Sequence, residues 1–203
     1  MKVEAVILAA GFSSRAGVNK MLLPAGNRSI LERCVDTFLP VCSRIIVVGG
    51  HRINELHLHV NYHSKVQIVE NKAFEAGMFS SVLVGISYFE GDYCFVTPGD
   101  YPLILTATCE SLLKVADHAV IPTYRGQKGH PILLSAATID KLHKSTGHHR
   151  LKDFLKECDY TLVEVPDPGI RLDVDSLDDY ERILYELNYR SKNAGHLCGD
   201  YEA

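Results

Sequence analysis

Short apolar runs alternate with amphipathic segments along almost the whole chain. The apolar runs predict buried strands, at 3–9, 44–49, 66–69, 93–97, 119–124, 131–135 and 161–165. The amphipathic segments have helical spacing, and they lie at 30–39, 53–60, 80–89, 107–116, 138–143, 151–157 and 177–187. Strands that alternate with helices over short connections predict an α/β fold, with a mostly parallel sheet covered by helices on both faces.

Two segments depart from this alternation. Closely spaced runs on either side of 126–129 predict a hairpin inserted into the sheet. The pattern ends near residue 190, so we expect one domain at 1–190 and a flexible C-terminal tail at 191–203. In a sheet of this kind, ligands bind at the carboxyl ends of the strands. Candidate site residues are therefore sought in the segments that follow the predicted strands.

Composition narrows the class of protein. A chain of 203 residues that is 46% hydrophobic suits a single domain, and its net charge of −4 argues against a general nucleic-acid coat. No run approaches the ~20 apolar residues of a membrane span, and a strand begins at once in place of a signal peptide. The six cysteines occur singly, which is typical of reduced thiols. We expect a cytoplasmic protein without nucleic-acid or membrane partners.

The segment after the first strand joins small residues to two hydroxyls and two cations. Its candidate nucleotide-binding residues are Leu8, Ala9, Ala10, Gly11, Ser13, Ser14, Arg15 and Lys20. A loop of small residues lets backbone N–H groups surround a polyphosphate, and the two cations neutralise it. The spacing matches neither a Walker A loop nor the dinucleotide fingerprint. The segment predicts a nucleoside triphosphate site, and an ordinary strand–helix turn is the alternative.

A second candidate site follows the strand at 93–97. Pro98 and Pro102 restrict the backbone around Gly99 and Asp100, so this carboxylate is presented rigidly at the carboxyl end of the strand. Asp100 can hold Mg²⁺ against phosphate oxygens that the opening loop binds. A turn aspartate that caps the next helix is the alternative.

A further source of carboxylates precedes the last predicted helix. Asp173 and Asp175 alternate with apolar residues, so both point to one face of an extended segment. Ser176 can cap the helix, with Asp178 and Asp179 in its first turn. Either Asp173 or Asp175 can complete a metal site with Asp100, and we select Asp175.

Three weaker motifs remain. Gly77, Ser80 and Ser81 open a helix, and together with Asn71 they are candidate nucleotide contacts. An N-capped helix and nothing more is the alternative. The candidate acceptor-binding residues are Gly129, His130, Pro131, His149 and Arg150. A hairpin turn and an exposed polar turn are the alternatives for these two segments. No nucleophile paired with a histidine stands out, which favours direct phosphoryl transfer.

Together these residues resemble the nucleotidyltransferases that mature the molybdenum cofactor by joining molybdopterin to CMP or GMP. The opening segment is similar to the family signature Leu-Ala-Ala-Gly-x-Ser-x-Arg-Met-Gly-x-x-Lys, with Ala16 in place of Met. The other motifs also resemble the family's, at Asn71 with 77–81, at 99–102, at 126–131 and at 173–176. The Ala-Ala-Gly form at 9–11 is similar to the cytidylyl branch, because the guanylyl branch tends to carry Ala-Gly-Gly.

The resemblance implies a Rossmann-like three-layer sandwich of the nucleotide-diphospho-sugar transferase type. It implies that Arg15, Lys20 and Asp100 are catalytic, with Asp100 and Asp175 holding Mg²⁺. The acceptor phosphate would attack the α-phosphorus and release pyrophosphate. CTP is the favoured donor, molybdopterin the favoured acceptor, and a molybdenum hydroxylase a candidate partner.

One departure leaves the acceptor open. The family often has Gly-Asp-x-Gly-Ala-Arg where this chain has Thr-Gly-His-His-Arg at 146–150. Alternatives are therefore a nucleotidyltransferase for another small phosphate, one that uses GTP, or a non-catalytic accessory protein that delivers the cofactor to a hydroxylase.

Overall fold

The computed structural model describes residues 1–11, 19–60, 62–145 and 147–194. Its strands are β1 (Val3–Ala9), β2 (Pro24–Ala25), β3 (Arg28–Ser29), β4 (Arg44–Gly49), β5 (Val66–Glu70), β6 (Tyr93–Pro98), β7 (Ala119–Tyr124), β8 (Gln127–Lys128), β9 (Ile132–Ser135) and β10 (Thr161–Glu164). Its helices are α1 (Ile30–Phe38), α2 (Ile53–Val60), α3 (Met78–Ser87), α4 (Thr106–Lys114), α5 (Ala136–Lys144), α6 (Leu151–Leu155) and α7 (Leu177–Ala194). Short 3₁₀ turns lie at Lys20–Leu22, Phe74–Ala76 and Pro168–Arg171.

One sheet organises the molecule, in the strand order β10-β7-β9-β6-β1-β4-β5, and β8 pairs with the last two residues of β7. β1 is parallel to β4 and to β6, and β7 is parallel to β10. β9 runs antiparallel between β6 and β7. The mostly parallel sheet predicted from the apolar runs is confirmed, and each predicted strand agrees with the structure to within about one residue. The central strands β1, β4 and β6 are buried along nearly their whole length, which makes their pattern distinctive.

Helices cover both faces of the sheet, as the sequence predicts. Apolar side chains of α1, α2 and α4 pack on one face, and those of α3, α5 and α6 pack on the other. Helix α7 lies apart from both layers and packs with β2 and α1 around a small cluster of Ala25, Ile30, Leu103, Val174 and Ile183. The result is an α/β three-layer architecture with an added C-terminal helix.

The predicted hairpin is present between β7 and β8. Its two-residue turn consists of Arg125 and Gly126, which have φ angles of 51° and 72°. Positive φ at both turn residues is the geometry that matches the twist of paired strands, and it is easiest for glycine.

The C-terminal helix continues beyond the predicted domain boundary. Helix α7 begins at Leu177, as predicted, and extends to Ala194, so the first residues of the expected tail are helical. Residues 195–203 lie outside the described part of the chain. Among the helices described, none is both long and apolar enough to cross a membrane.

Candidate active site

Three carboxylates converge at the carboxyl end of β6. Asp100 follows this strand, and its backbone oxygen accepts a hydrogen bond from the Val174 N–H at 3.1 Å. Val174 is buried in the α7 cluster, which fixes Asp173 and Asp175 on either side of it. One oxygen from each of the three carboxylates lies within 4.8 Å of the others. The structure thus brings both candidate acids, and not one of them alone, to Asp100.

Lys20 connects two of these acids. Its Nζ lies 2.8 Å from Asp100 Oδ2 and 2.7 Å from Asp175 Oδ1. Asn19 starts the 3₁₀ turn that carries this lysine, and its Oδ1 accepts a hydrogen bond from the Met21 N–H at 3.2 Å. Burial disfavours the charged amine, but the hydrogen bonds and charges of the two aspartates outweigh burial and raise the pKa of Lys20. Lys20 is therefore a fixed cation next to the carboxylates.

The carboxylates retain capacity for a further cation. Asp100 Oδ1 is buried and has no hydrogen-bond partner among the described residues. Burial, followed by the charges of Asp175 and Asp100, raises the pKa of Asp173. Among the described residues of this cluster, three carboxylates face one lysine, so the cluster carries an excess of negative charge. Carboxylate oxygens are the ligands that Mg²⁺ and Mn²⁺ prefer, so the residues present fit a divalent cation.

Close packing at Gly99 brings Asp100 to Lys20. A Cβ at Gly99 would lie 2.8 Å from Leu31 Cδ1 and 3.2 Å from Met21 Sδ. The Gly99 N–H also donates to the Leu8 carbonyl at 2.9 Å. Gly99 therefore lets the end of β6 approach α1 and the Lys20 turn, and its proposed nucleotide contact stays a prediction.

The structure describes only the base of the predicted triphosphate loop. Leu8, Ala9 and Ala10 are buried at the end of β1, and Gly11 is exposed beside them. The predicted contacts Ser13, Ser14 and Arg15 lie outside the described residues. Gly11 and Lys20 bound the segment, so its two ends lie at the carboxyl edge of the sheet.

Asn71 fastens the segment that leads into α3. Its Nδ2 donates hydrogen bonds to Ser80 Oγ at 2.8 Å and Ser81 Oγ at 2.9 Å, and its Oδ1 accepts one from the Ala73 N–H at 2.9 Å. Asn71 and Ser81 are buried. Gly77 has a φ of 94°, and a Cβ there would meet nothing within 4 Å. The side chain of Asn71 thus positions this loop, while Gly77 leaves its backbone accessible.

A cavity of about 980 Å³ lies beside the carboxylates. Six predicted site residues line it, namely Leu8, Gly77, Gly129, His130, His149 and Arg150. Asp173 and Tyr101 also line it, which connects the cavity to the carboxylate cluster. Pro131 is buried and is absent from the described lining. The two segments predicted to bind the acceptor therefore face one space.

His130 contributes a neutral imidazole to this cavity. The backbone N–H of His130 donates a hydrogen bond to the Ile170 carbonyl at 2.9 Å. The ring of His130 packs edge-on against the ring of Tyr101, and the two ring centroids are 4.9 Å apart. Burial lowers the pKa of His130 to about 4, although Asp100 and a backbone hydrogen bond to Val96 act in the opposite direction. The side-chain Nδ1 is buried without a partner in the described chain.

Positive charge is concentrated around the cavity. Lys128, Lys152, Lys156 and Arg171 line it together with Arg150. Arg150 and Lys156 are paired with Asp153, at 3.5 and 2.8 Å. The remaining three cations form no ion pair with a carboxylate of the described residues. A cavity of this character in a chain of net charge −4 favours an anionic ligand.

The chain matches a known family along most of its length. The model of the MobA-like NTP transferase domain matches residues 5–163. The chain belongs to this family. The MobA-like chain is 34% identical over 182 residues to a protein of Escherichia coli (strain K12) named molybdenum cofactor cytidylyltransferase, and the match covers 88% of this chain and 93% of that protein.

Two further relatives of the MobA-like chain are informative. It is 23% identical to a probable molybdenum cofactor guanylyltransferase of Bacillus cytotoxicus, over 90% of this chain and 96% of that protein. The structure of a nucleotidyl transferase from Methanothermobacter has a TM-score of 0.82 at 24% identity, over 93% of this chain and 99% of that one, which shows the shared fold. The protein is a nucleotidyltransferase, and the divalent metal that this family typically uses fits the carboxylate cluster.

Several residues that line the cavity of this MobA-like chain are absent from the predicted site. Lys152 and Lys156 lie four residues apart on a predicted helix, and Lys128 lies inside the glycine loop at 126–129, so the sequence contains a signal for all three. Asp167 was also missed, although it is 1% exposed and accepts three hydrogen bonds. Only its position between two prolines marks it as unusual in the sequence.

Proposed function

We propose that the protein transfers CMP from CTP to molybdopterin and releases pyrophosphate, with Mg²⁺ as its divalent cation. One observation carries the proposal: the convergence of Lys20 with Asp100, Asp173 and Asp175 beside a cavity lined by cations. This arrangement supplies the two requirements of nucleotidyl transfer, which are charge neutralisation at a polyphosphate and a neighbouring space for an anionic acceptor.

The donor side of the site consists of the opening loop and the Asn71 loop. Arg15 and Lys20 bind the triphosphate, and the residues from Leu8 to Gly11, where β1 ends, are further proposed contacts in a loop of small residues. The further proposed nucleotide contacts are Ser13, Ser14, Asn71, Gly77, Ser80, Ser81 and Gly99. CTP is favoured by the Ala-Ala-Gly sequence at 9–11 and by the name of the Escherichia coli relative, a cytidylyltransferase.

The chemistry is a direct displacement at phosphorus. Asp100 and Asp175, together with Asp173, would hold Mg²⁺, which neutralises charge on the phosphate oxygens when it is bound. Lys20 adds a fixed positive charge to the triphosphate. An oxygen of the acceptor phosphate attacks the α-phosphorus, the bond to the bridging oxygen breaks, and pyrophosphate leaves. Positioning and electrostatic stabilisation therefore supply most of the catalysis.

The acceptor side lies in the cavity, whose lining also includes the donor-side residues Leu8 and Gly77. Its other apolar walls, which include Val96 and Ile132, suit the face of a ring, and its cations suit a phosphate. Gly129, His130, Pro131, His149 and Arg150 remain the proposed acceptor-binding residues. Because His130 is neutral at physiological pH, it contributes hydrogen bonding there and no charge. Delivery of the product to a molybdenum hydroxylase remains a prediction.

The test is pyrophosphate release with each of CTP, GTP, ATP and UTP, in the presence and absence of molybdopterin. We expect turnover that depends on molybdopterin and Mg²⁺ and is fastest with CTP. Lys20→Gln and Asp100→Asn should each lower kcat/KM by about 100-fold or more, which is typical for loss of an electrostatic contact at a transferred phosphoryl group. Asp117→Asn, at an exposed position, is the matched control.

The alternatives give different results. A preference for GTP would make GTP the donor, as in the guanylyl branch of the family. Turnover with a different small phosphate would make that compound the acceptor in place of molybdopterin. Stoichiometric binding of molybdopterin and CTP without turnover would indicate an accessory delivery protein. Full activity of Asp100→Asn would overturn the proposed site.

A further inference from the structure

Lys128 and Tyr160 form a pair on the wall of the cavity. Lys128 Nζ donates a hydrogen bond to the Tyr160 hydroxyl at 2.7 Å and lies 4.1 Å from the centroid of its ring. Both residues line the cavity. The π electrons of a phenol ring attract an ammonium group but carry no net charge to neutralise it. Tyr160 therefore holds the ammonium group of Lys128 in place and leaves the positive charge of that group uncompensated.

The turn next to Lys128 is fastened by the neighbouring strand. Glu164 of β10 accepts hydrogen bonds from the N–H groups of Arg125 at 2.6 Å and Gly126 at 3.4 Å, and from Thr123 Oγ1 at 2.5 Å. Thr123 lies directly opposite Lys128 in the hairpin. The carboxylate of Glu164 is thus committed to the backbone of the turn, and the strand that carries Lys128 is restrained.

The chain that follows Lys128 is equally restrained. The Gly129 N–H donates to the Pro122 carbonyl at 2.9 Å. A Cβ at Gly129 would lie 2.4 Å from the Ile170 carbonyl oxygen, so only glycine permits this approach. With both neighbours fixed, a ligand that binds Lys128 orders little additional backbone, and preorganisation of this kind favours specific binding.

Lys128 differs from Arg150 and Lys156, which also line the cavity. Those two cations are partly neutralised by Asp153, whereas Lys128 has no carboxylate partner in the described chain. Lys152 and Arg171 also form no ion pair with a described carboxylate, but Lys128 is in addition held by the hydrogen bond to Tyr160.

We propose that Lys128, held by Tyr160, is a specificity-determining residue that binds a phosphate group of the acceptor and makes no contact with the nucleoside triphosphate. The inference rests on the proposed function, which assigns the cavity to the acceptor. Its consequence is a separation of effects: loss of the Lys128 charge changes recognition of the acceptor and leaves recognition of CTP intact.

The first experiment compares steady-state kinetics of Lys128→Met with the unaltered protein, with CTP and molybdopterin as substrates. We expect the KM for molybdopterin to rise about 10- to 100-fold, as for loss of a charge-assisted hydrogen bond. The KM for CTP should stay within about threefold, because the donor side is unchanged. Lys128→Arg should recover most of the affinity, and Tyr160→Phe should give an intermediate KM.

The matched control is Lys114→Met. Lys114 is exposed and lies in the last turn of α4, a helix that runs away from the carboxyl edge of the sheet, where the site is. Equal KM values for molybdopterin in Lys128→Met and Lys114→Met would overturn the inference. A parallel rise in the KM for CTP would also overturn it, because a structural effect or a donor contact would then explain the loss.

A second experiment needs no molybdopterin. Inorganic phosphate is titrated calorimetrically into Lys20→Gln, which removes a cation of the donor side, and into the double variant Lys20→Gln with Lys128→Met. We expect at least about fivefold weaker phosphate binding in the double variant. Identical isotherms would refute the role of Lys128. If the unaltered protein shows no turnover with molybdopterin, the proposed function fails, and this titration still decides the role of Lys128.

Discussion

Asp167 connects the two chain segments that supply the candidate metal ligands. Its Oδ2 accepts hydrogen bonds from the Leu105 N–H at 2.8 Å and Thr108 Oγ1 at 2.7 Å, and its Oδ1 accepts one from the Gly169 N–H at 2.9 Å. Leu105 is the N-cap residue of α4, and its side chain makes no capping hydrogen bond. One buried carboxylate thus caps a helix and also holds the turn that leads to Asp173.

Removal of this carboxylate should be costly. In Asp167→Ala, the buried Gly169 N–H and the buried Thr108 hydroxyl lose their partner, and each unsatisfied buried group costs about 1–3 kcal/mol. The part-buried Leu105 N–H also loses its partner. We expect a loss of about 4 kcal/mol in the free energy of unfolding. For a chain of this length, 1 kcal/mol corresponds to about 2–4 °C in Tm, so Tm should fall by about 8–16 °C.

Urea unfolding followed by far-UV circular dichroism measures this loss as a lower midpoint at an unchanged m value. Asp117→Ala, at an exposed aspartate before β7, is the control and should remain within about 0.5 kcal/mol of the unaltered protein. A difference below about 1 kcal/mol between the two variants would refute the bracing role of Asp167.

Three further predictions concern the cluster, the glycine loop and acid stability. Asp173→Asn should weaken Mn²⁺ binding about tenfold by electron paramagnetic resonance, whereas exposed Asp178→Asn should not, and equal affinities would exclude Asp173 as a ligand. Gly129→Ala places a methyl group 2.4 Å from a backbone carbonyl oxygen, so we expect about 1–3 kcal/mol of destabilisation in urea titrations. Burial opposes ionisation of Glu4, but its contacts with Arg44 and a neighbouring lysine hold the pKa of Glu4 below its usual value of 4.5. This stabilisation is fully present above pH 4.5 and is lost as the pH falls through the lower folded pKa, so acid titration should destabilise the unaltered protein more steeply than Glu4→Gln.

Local patterns predicted most of the fold. The run at 3–9 is apolar at nearly every position because β1 is covered on both faces, and this burial identifies a central parallel strand without further information. The sequence also predicts a hairpin around 126–129, and the structure has its turn slightly earlier, at Arg125 and Gly126. Helix ends were less certain, since α7 extends to Ala194 although its amphipathic pattern weakens near 190.

The candidate site was predicted in part. Motif spacing identified Lys20 and Asp100, and their convergence follows from strand order, because β1 and β6 are neighbours in the sheet. The choice between Asp173 and Asp175 could not be made from a period of two, since both lie on one face. Burial of the intervening Val174 against α7 brings both acids to Asp100.

The amino-acid sequence by itself determined the strand and helix segments, the glycine turns and the residue types of a polyphosphate site, because these depend on contacts between residues close in the chain. Tertiary structure alone decided which of the polar side chains of the site meet. Lys20 and Asp175 are 155 positions apart, and Lys128 and Tyr160 are 32 apart. Long-range packing sets the crossover connections and the sheet register that join such residues, and local pattern does not. The same packing leaves Lys128 without a carboxylate partner in the described chain.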